Sequence, residues 1–328
     1  MEALDSPDRK ILYELDIDSR QTDSAIAKKL NMDETEVSSR IKELVDSGVI
    51  LGFNPIINVY KLGYSPYRLS VRLKDISRKE RFELFEVLNS REDIGWLVSC
   101  RGRWDLSAVV WAKDTHEFQE FLSEFLQEYG KHVEKKKVAV VHRLYVYSRA
   151  CLLGDEAAQT AKKSEIISEG KPIELSEEDW SLLRLLAINS RMDTQALARI
   201  LKKPPSKIDS LLNSLMKEEV LHGFRLSPNY SLLGIKYHKV YLRLSGQTKA
   251  SRKKLLDHIR KNPYVVYIDE AFGGGDVELE FQVNKEETFL KQLAEIREKF
   301  GNLIRDQEVV TFQQEYKFQF LPPRPSNQ

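Results

Sequence analysis

The chain has 328 residues, of which 41% are hydrophobic and 31% charged, and its formal net charge is +1. The chain is therefore not one of the strongly basic proteins whose composition alone indicates nucleic-acid binding. No apolar run reaches the length of about 18 residues that a membrane span needs.

Other segments and residue types exclude further classes. The acidic start, MEALDSPDRKIL, has no apolar core, so no signal peptide is expected. Cys100 and Cys151 are too few for a disulfide framework or a zinc site, which fits a reducing, cytoplasmic setting. The six histidines have no metal-ligand spacing. We therefore expect no metal, no cofactor and a cytoplasmic location.

Residues 1–65 have the pattern of a winged helix-turn-helix domain. Apolar residues recur at helical spacing in three segments, and the third helix starts at the capping-box-like Asp33-x-x-Glu36 and ends at Gly48. The stretch VILGFNPIIN (49–58) predicts a strand, a turn at Asn54-Pro55 and a second strand. Together these elements predict three helices and a two-stranded wing.

Residues 66–150 predict a ferredoxin-like domain. Strands are expected over 67–74, 94–100, 105–113 and 138–148, with amphipathic helices over 77–89 and 118–125. This β-α-β-β-α-β order places both helices on one face of the sheet, so a partner must cover the other face. Trp96, Trp104 and Trp111 alternate with polar positions, which favours packing on the sheet over a cofactor site.

The sequence matches itself without gaps at an offset of 171 residues. LDSPDRKILYEL (4–15) aligns with LSEEDWSLLRLL (175–186), Ser19-Arg20 with Ser190-Arg191, and the Gly-x-x-Asp of 102–105 with that of 273–276. A period this long predicts duplicated domains. The expected fold class is α+β, with two copies of a winged helix-turn-helix followed by a ferredoxin-like domain. The predicted second-copy strands lie near 238–245, 264–271, 276–283 and 307–320. The predicted boundaries are 1–65, 66–150, a polar linker at 151–172, 173–237, 238–321 and a flexible tail at 322–328.

With both copies placed, the chain resembles the Lrp/AsnC, or feast/famine, family of transcription regulators. The resemblance rests on LDSPDRKILYELDIDSR (4–20), SSRIKELVDSGVILGF (38–53) and GRWD (102–105). It implies a winged helix-turn-helix that binds double-stranded DNA and a sensing domain that binds a small effector such as an amino acid. The chain departs from the family pattern by joining two units, and by having Leu211 at the position equivalent to Arg40.

The resemblance predicts DNA contacts on both third helices. Residues 1–65 hold eight basic and twelve acidic residues, a net charge of −4, whereas residues 172–237 hold nine and eight, a net of +1. One such domain should bind DNA weakly alone, because nonspecific affinity comes mainly from neutralised phosphates. We therefore expect the two units to form an intrachain pseudo-dimer, with a further homo-oligomer left open. The candidate contacts are Thr35, Ser38, Ser39, Arg40, Lys42, Ser206, Lys207, Ser210, Asn213 and Lys217.

The resemblance also implies an effector site at the Gly-x-x-Asp turns. Glycine allows close approach to the backbone, and a carboxylate can hold an ammonium group. The alternative is that the same motif only forms a tight turn. The candidate effector residues are Arg101, Gly102, Trp104, Asp105, Gly273, Gly274 and Asp276.

Two other functions remain open from the sequence. Siroheme decarboxylases have a similar tandem architecture, but they carry histidines and tyrosines near the turns where this chain has WLVSCRGRWD and YIDEAFGGGD. No catalytic arrangement is recognisable elsewhere, so we expect no enzyme and name no catalytic residue. The acidic first helix-turn-helix also leaves open a ligand-binding or interaction module whose winged helices no longer bind DNA.

Overall fold

The computed structural model describes residues 4–154, 158 and 165–324. Three helices open the chain where the apolar spacing predicts them. Asp5, Thr22 and Asp33 are their N-caps, and each side chain accepts a hydrogen bond from a backbone N–H of the first turn. These elements and the strand after them are α1 (Ser6–Ile17), α2 (Asp23–Leu30), α3 (Glu34–Asp46) and β1 (Ile50–Ile57).

The next segment has the predicted order of strands and helices. Side chains on a strand alternate between faces, so Leu69 and Val71 pack beneath the helices, whereas Arg68 and Ser70 lie on the opposite face. The elements are β2 (Ser65–Leu73), α4 (Arg78–Ser90), β3 (Ile94–Gly102), β4 (Leu106–Ala112), α5 (Thr115–Tyr129) and β5 (Val133–Tyr147).

The second half of the chain follows the same order, after one short additional strand. None of the helices within the described ranges is long and apolar enough to cross a membrane. The elements are β6 (Glu165–Ser168), α6 (Glu177–Ile188), α7 (Thr194–Leu201), α8 (Pro205–Lys217), β7 (Leu221–Pro228), β8 (Lys236–Leu244), α9 (Lys249–Ile259), β9 (Val265–Phe272), β10 (Val277–Val283), α10 (Glu286–Phe300) and β11 (Ile304–Phe318).

The predicted two-stranded wing is wrong. No turn forms at Asn54-Pro55; β1 is one continuous strand that pairs antiparallel with β7 from the other half. The carbonyl of Phe53 points away from β7 and accepts from Ser190 N at 2.9 Å. Pro55, two residues further along, faces the same side, so its missing N–H removes no hydrogen bond from the ribbon.

The remaining long strands form one closed antiparallel sheet. Its order is β2-β4-β3-β11-β8-β10-β9-β5, and β5 pairs again with β2 to complete the ring. Two strands of fifteen residues make this closure possible. The first part of β5 pairs with β2 and its second part with β9, whereas β11 pairs first with β8 and then with β3.

Helices cover only the outside of the closed sheet. One apolar cluster joins α4 and α5 to β2, β3 and β4, and another joins α9 and α10 to β8, β9 and β10. The inward faces of the two four-stranded parts therefore cover each other.

The predicted linker, residues 151–172, contains ordered structure at both ends. Cys151 and Leu152 are buried against α1 and α3, and β6 pairs with the end of β5. Residues 155–157 and 159–164 of the predicted linker lie outside the described part of the chain.

Candidate functional site

Helix α3 presents a polar outer surface. Thr35, Ser39 and Lys42 are exposed, and Ser38 is half-buried, where it donates to Asp23 of α2 at 2.6 Å. Ser39 donates to Glu43 at 3.0 Å. All five candidate contacts on this helix, the half-buried Arg40 included, therefore reach its surface at least in part.

Arg40 is engaged by acids of its own unit. It lies 2.9 Å from carboxylate oxygens of Asp5, Asp8 and Glu36. The charges of these three acids exceed the single positive charge of the guanidinium. Hydrogen bonds from the guanidinium to Glu36 and Asp8 raise the pKa of Arg40, so it stays charged. Its contact with DNA remains a prediction that would require exchange of these partners for a phosphate.

Helix α8 has a different surface. Ser206, Ser210, Asn213 and Lys217 are exposed, whereas Lys207 pairs with Glu178 at 3.0 Å. The residue equivalent to Arg40 is Leu211, which is buried in the apolar core of this unit. The second unit therefore has no counterpart of the acid-bound arginine.

The two three-helix units contact each other through equivalent residues. Arg20 donates to the carbonyls of Ser190 and Met192, at 2.7 Å each, and Arg191 donates to the carbonyl of Ser19 at 2.6 Å and to Asp23. The hydroxyls of Ser19 and Ser190 lie 3.3 Å apart at the centre of the contact. The repeat of Ser-Arg at the 171-residue offset was a signal for this interface, but the sequence did not indicate that the repeated pairs meet.

A buried ion cluster joins these units to the closed sheet. Asp16 of α1 binds Arg225 of β7, with Nη2 2.7 Å from Oδ1, and also binds Arg149, which follows β5. Both arginines donate to the hydroxyl of Tyr267 at 3.3 Å. Burial alone would raise the pKa of Asp16, but the charges of Arg225 and Arg149 outweigh it and hold that pKa below the usual value. Sequence analysis missed this cluster, because its members are far apart in the chain.

The two Gly-x-x-Asp turns have the same structural role. Asp105 accepts from Leu73 N at 2.9 Å, and Asp276 accepts from Leu244 N at 2.7 Å. A Cβ atom on Gly102 would lie 3.2 Å from the carbonyl oxygen of Val309, and one on Gly273 would lie 2.5 Å from that of Val138. Each turn thus supports the crossing of a long strand from the other half.

The other candidate effector residues also have internal contacts. Trp104 is buried and donates to Glu308 at 2.7 Å, while a Cβ atom on Gly274 would lie 1.9 Å from an oxygen of Glu278. Arg101 is exposed and lines a cleft of about 920 Å³ between β3, β11 and the segment before β8. An effector at the turns remains a prediction. Arg101 is the candidate whose side chain is exposed in a cleft.

Inside the closed sheet lies a charged network that the sequence did not reveal. Arg68 and Lys239 occupy equivalent positions in the two halves, and both bind Asp269 and Glu278. Glu280 completes the network, 2.7 Å from the Lys239 ammonium. Burial would raise the pKa of Asp269, but Lys239 and Arg68 hold it below its usual range.

A small cavity lies beside this network. Its volume is about 80 Å³, and aromatic and aliphatic side chains form most of its wall. Two buried donors on its lining residues, Trp111 Nε1 and Arg68 Nε, have no hydrogen-bond partner among the described residues. Trp96, Trp104 and Trp111 are all buried, and Trp96 and Trp111 line the cavity.

The first three-helix unit belongs to the helix-turn-helix class. An AsnC-type helix-turn-helix domain matches residues 4–45. The HTH-type transcriptional regulator LrpA of Pyrococcus horikoshii is 35% identical over 120 residues, which are 37% of this chain and 84% of that protein. The proline dehydrogenase transcriptional activator of Rhizobium radiobacter is 30% identical over 122 residues, which are 37% of this chain and 78% of that protein. The chain belongs to the Lrp/AsnC family.

Solved structures of one other protein are similar over almost the whole chain. It is the siroheme decarboxylase NirDL, with a TM-score of 0.58, 13% identity, and coverage of 97% of this chain and 94% of that chain. At this identity the likeness extends to the fold alone.

Proposed function

We propose that this protein is a sequence-specific DNA-binding transcription regulator in which the two halves of one chain act as a pseudo-dimer. The observation that carries the proposal is the reciprocal contact of Arg20 with Ser190 and of Arg191 with Ser19, in a chain with an AsnC-type helix-turn-helix. Such a contact holds two recognition helices, α3 and α8, in one fixed relation, as binding to two half-sites requires.

The proposed unit boundaries follow the sequence prediction, with helix-turn-helix units at 1–65 and 173–237 and sensing domains at 66–150 and 238–321. The strand exchange supports a pseudo-dimer, because β5 and β11 each pair with strands of both halves. The β1–β7 ribbon adds a second link between the halves. Because the two recognition helices differ, the two halves of the chain are not required to bind identical half-sites.

The electrostatics favour an asymmetric division of DNA contacts. The first unit carries a net charge of −4 and its Arg40 is neutralised, while the second carries +1 and exposes Lys217. We infer that α8 supplies more of the phosphate affinity and that α3 contributes through Thr35, Ser39 and Lys42. The pair together binds DNA more tightly than the acidic first unit would alone.

Fluorescence anisotropy on the purified protein tests this function. The labelled DNA is the promoter region of its own gene, compared with random DNA of equal length, at about 50 and 200 mM salt. Tight binding that prefers the promoter and weakens steeply with salt is the expected result. Equal affinity for both DNAs, or no binding at the lower salt, would contradict it.

A disulfide test addresses the pseudo-dimer separately. Because the hydroxyls of Ser19 and Ser190 lie 3.3 Å apart, Ser19→Cys with Ser190→Cys should form an intrachain disulfide. The native cysteines, Cys100 and Cys151, are buried, so each single variant is a matched control. Monomeric protein of increased mobility on a non-reducing gel is expected. A disulfide that forms only between two chains would refute the intrachain pair.

A second candidate function is a siroheme-decarboxylase-like enzyme. It is favoured by the full-length fold likeness to NirDL and by the cleft of about 920 Å³, in which His238 lies between Thr311 and Glu286. Titration with siroheme, followed by absorbance, separates the two functions. A stoichiometric spectral change followed by loss of carboxyl groups would favour the enzyme.

A further inference from the structure

The cavity beside the charged network joins both halves of the closed sheet to the helix-turn-helix pair. Its wall includes Ile57 at the end of β1, Trp96 and Trp111 of the first half, Tyr267 of the second half and Phe318 at the end of β11. Ile57 pairs with Leu221, the first residue of β7, which lies four residues after Lys217, the last residue of α8. A molecule in this cavity would contact the ribbon that connects the recognition helices.

The hydrogen-bonding groups of the cavity are incomplete. Buried polar groups are nearly always paired, and an unpaired donor carries a large desolvation cost. Trp111 Nε1 and Arg68 Nε are both donors, and neither has a partner among the described residues. The space next to them therefore fits a molecule that presents acceptor oxygens.

Size restricts that molecule. One water occupies about 10–15 Å³ on this scale, so a cavity of about 80 Å³ has room for a ligand of roughly five to eight non-hydrogen atoms. The apolar wall favours a short aliphatic group on the part that does not face the donors.

Charge restricts it further. Four buried cations, Arg68, Arg149, Arg225 and Lys239, lie with four buried acids, Asp16, Asp269, Glu278 and Glu280. Tyr267 lines the cavity and accepts from Arg149 and Arg225, so the Asp16 cluster also reaches this cavity. The ions that line the cavity, Arg68, Asp269 and Glu280, are each paired within the network, so a ligand with a net charge would find no unpaired counter-ion in this buried site.

We propose that this cavity is a binding site for a small aliphatic molecule of zero net charge, zwitterionic or neutral, whose oxygen accepts hydrogen bonds from Trp111 and Arg68. It is distinct from the Gly-x-x-Asp turns, whose aspartates are used within the fold. Its role as an effector site rests on the proposed DNA-binding function, whereas ligand binding does not.

Isothermal titration calorimetry with four branched probes of similar size tests the proposal. L-valine is zwitterionic, isobutyramide is neutral, isobutyrate is an anion and isobutylamine is a cation. Binding of L-valine or isobutyramide, with no binding of the two ions at concentrations up to about 20 mM, is expected. Tighter binding of either ion would overturn the charge argument. No binding of any probe would mean that ordered water alone satisfies the two donors.

Two tryptophan variants locate the site. Trp111→Phe keeps an aromatic ring but removes the unpaired N–H, and we expect it to weaken binding about five- to tenfold. Trp104→Phe is the matched control, because its indole donates to Glu308 and does not line the cavity. Equal affinity in all three proteins would place the ligand elsewhere and overturn the proposal.

A third variant acts without changing an aromatic residue. A Cβ atom on Gly95 would lie 2.1 Å from the Trp111 ring, so Gly95→Ala should displace the indole and reduce binding while the N–H remains. Promoter anisotropy is measured on the same preparations. Ligand binding without DNA binding would refute only the proposed function, and DNA binding without ligand binding would refute only this inference.

Discussion

The Asp16 cluster offers the most direct test of how the two halves are held together. The perturbation is Asp16→Asn, which keeps the shape and one acceptor oxygen but removes the negative charge. Asp16 is 4% exposed and binds two arginines that are each 1% exposed. The substitution therefore leaves two guanidinium groups close together in the interior without the acid that they share.

The expected loss is large for a single atom exchange. Removing one partner of a buried ion pair costs about 3–5 kcal/mol, because the remaining charge is uncompensated. Unfolding entropy is about 2.1 cal/mol/K per residue, so each kcal/mol shifts the melting temperature of a 328-residue chain by about 1.5 °C. The variant should melt about 4–7 °C below the wild type.

Urea unfolding and thermal melting measure this difference. Asp46→Asn is the matched control, since Asp46 is an exposed aspartate on α3. It should change the free energy of unfolding by less than about 0.5 kcal/mol. If Asp16→Asn were no more destabilising than Asp46→Asn, the arginines would have other compensation, and the reasoning from the cluster would be refuted.

The same residue predicts an acid dependence. Although burial opposes it, Arg225 and Arg149 hold the folded-state pKa of Asp16 below 3.8, the value of an unperturbed carboxyl. Its stabilising contribution is therefore fully present above that pH and is lost as the pH falls through the lower folded-state pKa. The gap in unfolding free energy between wild type and Asp16→Asn should stay constant above this range and shrink below it, which urea unfolding at several pH values would reveal.

Three further outcomes are expected. The logarithm of DNA affinity falls linearly with the logarithm of salt concentration, and each phosphate contact makes that slope steeper. If Lys42 and Lys217 each contact a phosphate, Lys42→Ala and Lys217→Ala should each make the slope shallower by about 1. An unchanged slope would exclude the contact. Arg20→Ala removes two hydrogen bonds at 2.7 Å across the helix-turn-helix interface, and it should weaken promoter binding about tenfold in anisotropy, with no effect if the units bind independently. Gly274→Ala, whose Cβ would lie 1.9 Å from Glu278, should lower the free energy of unfolding by about 1–3 kcal/mol in urea, whereas Gly52→Ala, which has open space, should not.

Local patterns predicted most of the elements. The alternation around Leu69 and the helical spacing around Phe118 gave strands and helices that agree with the structure to within a few residues. The sequence does not predict which strands pair with each other, because alternation with a period of two identifies a strand but not its neighbour in the sheet. For that reason the sequence predicts a turn at Pro55, although Pro55 lies on a strand and pairs with Phe224 of the other half.

The candidate sites were predictable only where one segment contains them. The exposed face of α3 follows from helical spacing, and so does the position of Lys42 on it. The cluster of Asp16, Arg149 and Arg225 depends on three distant segments, and no local signal indicates that they meet. Arg68 alternates with apolar residues along β2, as polar residues of a half-buried strand do, so its position in the sequence does not indicate a charged interior.

The charged network inside the closed sheet has a consequence for how such a chain can change over generations. In a symmetric homodimer every mutation arises twice, once on each side of the axis, so a residue at the centre must be compatible with its own copy. Here Arg68 and Lys239 are at equivalent positions, but Asp269, Glu278 and Glu280 all come from the second half. The two positive charges of Arg68 and Lys239 can thus be neutralised by acids that are present in only one half of the chain. A single gene with both halves can acquire such one-sided solutions by point mutation, which no identical pair of subunits can do.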